Sequence, residues 1–211
     1  MNGIIHFETF LITGILLNLT PGNDTIFILT KSIAQGKKAG MISALGISSG
    51  SIVHTILAAL GLSIIMAKSI IVFNITKCIG AAYLMYVGYK MLTDKSKLQT
   101  DNISKSGNVN YWKIYRDAML TNILNPKVAL FFIAFLPQFI NPSQQNTVFP
   151  FLLLGATFII TGTIWCFVLA IFSSAIFSKL KSNKKVSYYI NKVCGIALVG
   201  LGIKVALSER K

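Results

Sequence analysis

A chain of 211 residues that is 54% apolar and only 12% charged has too little polar surface to clothe a soluble domain, so it belongs to the membrane class. The net charge of +14 does not mark a nucleic-acid binder, because the lysines fall mostly between the apolar segments, as in the cytoplasmic loops of membrane proteins. Cys78, Cys166 and Cys194 are scattered, with no Cys-x-x-Cys pair and no histidine at ligand spacing; they exclude a disulfide framework, a zinc site and a dithiol redox carrier, and no cofactor is expected.

Six segments are long enough to cross a bilayer, given about 20 apolar residues per spanning helix. The first, Ile4–Thr30, lacks the basic start and small-residue cleavage site of a signal peptide and is expected to be retained. Its interior carries Asn18-Leu19-Thr20-Pro21-Gly22-Asn23-Asp24, polar residues and a proline where lipid-like residues belong. Lys31, Lys37 and Lys38 follow in a loop. The second segment, Met41–Ala67, holds the small-residue run Gly46-Ile47-Ser48-Ser49-Gly50-Ser51 and then His54. The third, Ser69–Leu92, carries Tyr83, Tyr86 and Tyr89 at helical spacing, read as packing or interfacial anchors. Asp94 to Tyr111 is polar and reads as a loop. The fourth segment, Arg116–Ile140, is interrupted by Asn122-Ile123-Leu124-Asn125-Pro126-Lys127, and Val148–Phe177 and Tyr188–Ser208 complete the set.

Lysines cluster after segments one, three and five, which puts those loops in the cytoplasm and both termini on the other side. Three helices per half make similar halves oppositely oriented. Pro21 matches Pro126, Leu45-Gly46 matches Leu154-Gly155, and Gly88-Tyr89-Lys90 matches Gly202-Ile203-Lys204, all in the same order. The expected fold is an all-α membrane protein, one integral-membrane domain (1–211) of six transmembrane helices. These form two inverted three-helix repeats, 4–92 and 116–208, joined by a cytoplasmic loop, 93–115. Helices one and four are broken at Pro21-Gly22 and Asn125-Pro126.

Interrupted segments at matching places in two halves are the best sequence pointer to a transporter's binding site. Pro21 removes a backbone donor, and the groups freed at a break need partners because lipid offers none. Asn18, Thr20, Pro21, Gly22, Asn23, Asp24, Asn122, Asn125, Pro126 and Lys127 are therefore the candidate substrate-binding residues. Asp24 lies about two turns inside Lys31; an acid at that depth marks a proton, ion or substrate site, against the plainer role of a helix cap. Lys127 sits at similar depth. If the two approach each other across the pseudo-twofold axis, a zwitterion could set its ammonium near Asp24 and its carboxylate near Lys127; a structural ion pair or a snorkelling lysine is the competing reading. His54 is a second candidate for proton coupling, although a lone histidine in such a segment is more often a packing residue.

Residues 18–24, Ala34-Gln35-Gly36-Lys37-Lys38-Ala39-Gly40, Val53-His54-Thr55-Ile56-Leu57-Ala58-Ala59-Leu60-Gly61, Gly80-Ala81-Ala82-Tyr83-Leu84-Met85-Tyr86-Val87-Gly88, residues 122–127 and Phe135-Leu136-Pro137-Gln138-Phe139 together resemble the LysE/RhtB amino-acid exporter family, in order and over nearly the whole chain. The resemblance implies a bacterial inner-membrane exporter of amino acids or close derivatives, driven by the proton gradient. It also implies that Pro21, Gly22, Asp24, Asn125, Pro126 and Lys127 occupy the family's signature positions. The pattern is closer to the homoserine, threonine and leucine branch than to the basic amino-acid branch. The chain departs from the family pattern at Asn23, where a second proline is usual, and at Ser51, where an acid is frequent. The expected partners are an amino-acid substrate, protons and the bilayer; the Gly-rich faces of segments two and six are compatible with a homodimer. An exporter of a cation or heavy metal is the main alternative, with a basic amino acid as another cargo. A membrane enzyme is disfavoured by the missing paired acids and ligand clusters.

Overall fold

The computed structural model describes residues 3–62, 70–93, 109–141 and 148–173, with positions 175, 189, 192–193, 195–196, 199–200, 202–203 and 206–207 of the last segment. The described residues are overwhelmingly helical, and their one extended pairing is an isolated antiparallel bridge between Ile4 and Ile140.

The first apolar segment is two helices, α1 (Phe7–Leu19) and α2 (Asn23–Gln35). Thr20 is driven into the extended region (φ −64°, ψ 119°), as the residue before a proline must be, and α1 stops there. α2 runs past the expected Thr30, and Gly36 alone joins it to α3 (Lys37–Leu57). Gly36 has φ +90°, a conformation that suits glycine and turns the chain sharply. Lys31, Lys37 and Lys38, expected in a loop, therefore ride on helix ends. α3 continues into a wider turn, Ala58–Leu62. α4 (Ile70–Thr93) matches the third segment to within a residue. The expected division at Ala67-Lys68-Ser69 and most of the polar stretch after Thr93 lie outside the described residues.

In the second half, α5 (Tyr111–Ile123) starts earlier than the expected Arg116. The cause is Asn110, whose side chain accepts a hydrogen bond from the Lys113 N–H at 3.0 Å and caps the helix. After the break, α6 (Pro126–Leu130) passes into a wide turn at Phe131–Phe135 and a tight one at Leu136–Phe139, where Pro137 lacks an N–H to sustain a regular ladder. α5 and the stretch Pro126–Phe139 are bent by 47°. α7 (Val148–Ile171) is the longest uninterrupted apolar helix of this half among the described residues.

Among the described residues, α3 with its extension and α7 are long and apolar enough to cross a membrane, and the bent α5–α6 pair makes a third where it counts as one broken span rather than a re-entrant loop. Leu45, Ile52 and Ile56 on α3, and Leu152, Ile160 and Ile164 on α7, are exposed at helical spacing. Apolar stripes of that kind belong against lipid.

α3 is the central helix and packs most extensively on α5 and α7. Gly50 permits this approach: a Cβ there would sit 2.7 Å from Asn122 Oδ1 and 2.9 Å from the Met119 carbonyl. Two buried clusters flank the crossing. One is aromatic, built on Phe10, Phe131, Phe135, Phe139 and Phe158, with Phe131 stacked on Phe158 at 4.5 Å between ring centres. The other is aliphatic, built on Ile28, Leu29, Ile47, Cys166 and Leu169. The chain ahead of α1 is tied to the end of the Pro126–Phe139 stretch by main-chain bonds from Ile5 N–H to the Phe139 carbonyl (2.9 Å) and from Asn141 N–H to the Gly3 carbonyl (2.8 Å).

Candidate functional site

Where the two clusters meet, the breaks of both halves open onto one cavity of about 40 Å³. Asn18, Gly22 and Asp24 from the first break line it, with Asn122 and Lys127 from the second; Phe158, Trp165 and Cys166 of α7 close the far wall. The volume suits roughly three waters, so a larger solute needs the surrounding helices to part.

Asp24 stands in the first turn of α2, and its Oδ2 accepts from Asn122 Nδ2 at 2.8 Å. Ser51 Oγ donates to Asn122 Oδ1 at 3.3 Å, which fixes the amide so that its nitrogen faces the carboxylate. The other carboxylate oxygen, Oδ1, is buried and has no hydrogen-bond partner among the described residues; neither has Trp165 Nε1. An unmet acceptor and an unmet donor on the walls of one cavity are places for water or a polar solute.

Lys127 follows the second break. Pro21 has no N–H to offer the carbonyl four residues back, Leu17, and the Lys127 ammonium donates to that oxygen at 3.1 Å. It also donates to the Thr20 carbonyl at 3.0 Å. A cation thus sits on the negative end of α1, where the helix dipole favours it. Asp24 and Lys127 line the same cavity from opposite halves, so the site carries one group of each sign. Asn18 completes the lining by donating to Thr161 Oγ1 at 3.3 Å, and Ser48 and Thr163 share a hydrogen bond of 2.7 Å across α3 and α7.

The remaining sequence candidates have other places. The Thr20 hydroxyl bonds back to the Leu16 carbonyl at 2.8 Å and serves the end of α1. Pro21 makes the break without lining the cavity. Asn23 is exposed and lies in a shallow groove with Ile26, Phe27, Thr30 and Lys31. Asn125 is buried and caps α6, its Oδ1 accepting from the Lys127 N–H at 3.0 Å, while Pro126 is exposed at the first helical position. His54 is buried behind the cavity, 3.2 Å from the Asn122 carbonyl through Nε2 and stacked on Phe132. Ser48 belongs to the small-residue run read from sequence as a close helix approach or the lining of a narrow cavity, whereas Thr163 and Trp165 were not anticipated. The polar run Thr161-Gly162-Thr163 within an apolar segment was the signal available for Thr163. Glu8 is exposed near the start of α1, Cys78 is exposed, and Cys194 lies outside the described residues.

The model of the LysE type translocator family matches residues 15–209. The uncharacterized membrane protein YrhP of Bacillus subtilis is 34% identical over 200 residues, 92% of this chain and 94% of its own length. The leucine efflux protein of Enterobacter sp. (strain 638) is 32% identical and that of Salmonella typhimurium 28% identical, each alignment covering 97% of this chain and 96% of the relative. No solved structure matches the chain significantly. The match over almost the whole length, on a chain with apolar membrane-spanning helices, shows that this protein belongs to the LysE type translocator family and is a membrane transporter rather than an enzyme.

Proposed function

We propose that the protein is a secondary transporter that exports a neutral amino acid or close derivative, of the homoserine, threonine and leucine class, across the bacterial inner membrane by proton antiport. The observation that carries this reading is the cavity shared by the two breaks, with the Asp24 carboxylate on one side and the Lys127 ammonium on the other. Such a pair complements a zwitterion: ammonium to the free oxygen of Asp24, carboxylate to Lys127 and the exposed N–H groups at the start of α2, which has no side-chain cap. Relatives that carry the name leucine efflux protein favour the same class of cargo.

Asp24 is the proposed coupling residue. A proton and a substrate ammonium compete for one carboxylate, so that taking up a proton releases the amino acid, and losing it readies the site. The small cavity belongs to a closed form, and alternating access opens it to each side in turn.

Two sets of contacts support six spans in two inverted repeats, 4–92 and 116–208, with both termini outside the cytoplasm. Asn18, just before Pro21, packs on Gly162 of the opposite half, and Asn122, just before Pro126, packs on Gly50 of the opposite half. A Cβ on Gly88 would meet Val199 and Gly195, and a Cβ on Gly202 would meet Met85 and Ala81. The offset that carries Gly88 onto Gly202 also carries Met85 onto Val199 and Ala81 onto Gly195, so each contact is the image of the other.

The test is efflux from cells loaded with dipeptides of threonine, homoserine, leucine or lysine, with and without a protonophore. One neutral amino acid is expected to leave faster with the protein present, and the gain is expected to vanish with protonophore. Equal efflux of every amino acid with and without the protein at the membrane overturns the reading.

A further inference from the structure

A proline cannot donate to the carbonyl four residues before it. At both breaks that carbonyl is met by a donor from the other half of the chain. Pro21 gives the Leu17 carbonyl no donor, and that oxygen takes the Thr20 N–H at 3.2 Å and the Lys127 ammonium at 3.1 Å. Pro126 frees the Asn122 carbonyl, and His54 Nε2 lies 3.2 Å from it. The Asn125 N–H also reaches that carbonyl at 3.0 Å, so the histidine takes the second lone pair.

We infer that His54 is a positioning residue: it closes the second break by donating to the Asn122 carbonyl, as Lys127 closes the first. A carbonyl oxygen only accepts, so Nε2 must carry a proton for this bond to exist. The ring has little freedom to do otherwise. It is 7% exposed and stacked on Phe132, with ring centres 5.7 Å apart. His54 and Ser51 stand one turn apart on α3 and grip the two ends of one residue. His54 holds the Asn122 main chain, and Ser51 holds its side-chain oxygen at 3.3 Å. Held at both ends, Asn122 presents its amide nitrogen to Asp24 at 2.8 Å. His54 thus acts on the carboxylate through Asn122, not by passing protons to it. The two bonds also cross the seam between the halves in opposite senses, one donor from each. Any rocking of the halves must therefore break or pivot both.

The inference rests on the exporter reading only in its transport arm. The chain has two histidines, so nitrogen-15 histidine labelling of the full-length protein in lipid nanodiscs gives two imidazoles, and His6→Gln assigns them. His54 is expected to show a protonated, hydrogen-bonded Nε2; a bare Nε2 overturns the inference. His54→Leu is expected to lower the thermal midpoint of the detergent-solubilised protein by several degrees, and His54→Gln, whose amide N–H can reach the same carbonyl, to restore most of it. In the efflux assay, His54→Leu is expected to cut protonophore-sensitive export by about tenfold or more, and His54→Gln to recover it to within about threefold, the scale of one buried hydrogen bond lost or kept. Loss of export in His54→Gln as deep as in His54→Leu makes the ring's titration essential and overturns the inference. If the wild type moves no amino acid, the exporter reading fails, while the nitrogen-15 and thermal measurements still decide the role of His54.

Discussion

The two helix breaks use the same device, a proline that strips a hydrogen bond from the helix, and finish it differently. The N–H end of the second break is capped from within: Asn125 caps α6, and the chain leaves the helix for only Leu124 and Asn125. The first break is longer, Thr20 to Gly22, and α2 starts at a glycine with no side-chain cap. Its carbonyl end is tended by Lys127 from the other half, and its N–H end is left to face the cavity beside Asp24. One break is built as a joint and the other as a socket. Similar halves need not be finished alike: the uncapped break is the one that carries Asp24, whose Oδ1 has no partner among the described residues.

The sharpest way to break that comparison is to remove the charge from the socket. Asp24→Asn keeps an oxygen for the Asn122 amide, so the protein is expected to reach the membrane at wild-type levels. Protonophore-sensitive efflux is expected to fall by at least about tenfold, equivalent to about 1.4 kcal/mol. Full transport by this variant would move the function away from the first break. Next in size is Lys127→Met, which takes the ammonium from the Leu17 and Thr20 carbonyls; thermal unfolding in detergent is expected to show a loss of about 2–3 kcal/mol, together with lost export. Gly50→Ala sets a methyl against Asn122 and tests whether that residue must sit close to α3. A loss of about 1–3 kcal/mol is expected, with weakened export even where the protein is stable. The smallest effects contrast the caps directly: Asn125→Ala is expected to cost about 1 kcal/mol, and Gly22→Ala, which removes no side-chain hydrogen bond, less than that. Gly22 has φ −160°, which any residue adopts, and a Cβ there lies 3.4 Å from Lys127 Nζ, ordinary contact. Equal losses in thermal midpoint would show that the two breaks are finished alike.

Both breaks were legible in the sequence because proline's missing N–H acts locally, whatever the helix packs against. Asp24, Asn122 and Lys127 were legible for a related reason: polar groups in apolar segments must find partners, and here they find a common cavity. Asn23 lies apart from the cavity because adjacent residues on a helix point about 100° apart. Asp24 turns inward, and its neighbour turns out. Ser48, Thr163 and Trp165 left weaker traces, since hydroxyls and indoles are tolerated in apolar helices and only the crossing of α3 and α7 shows which of them meet. The early start of α5 was hidden in a single asparagine cap at the edge of a polar stretch.

The short pairing of residues 3–5 with 139–141 has a consequence of its own. It fastens the N-terminal end of α1 to the far end of the chain that follows the second break, through main-chain atoms alone. Side-chain replacement at Ile4, Ile5 or Ile140 leaves those donors and acceptors in place, so the clasp tolerates mutation in a way the side-chain bonds at the cavity do not. Only a proline at Ile5 or Asn141, or loss of the first residues, deletes a donor. The two stretches it joins are thereby held together by bonds that do not depend on which side chains stand there.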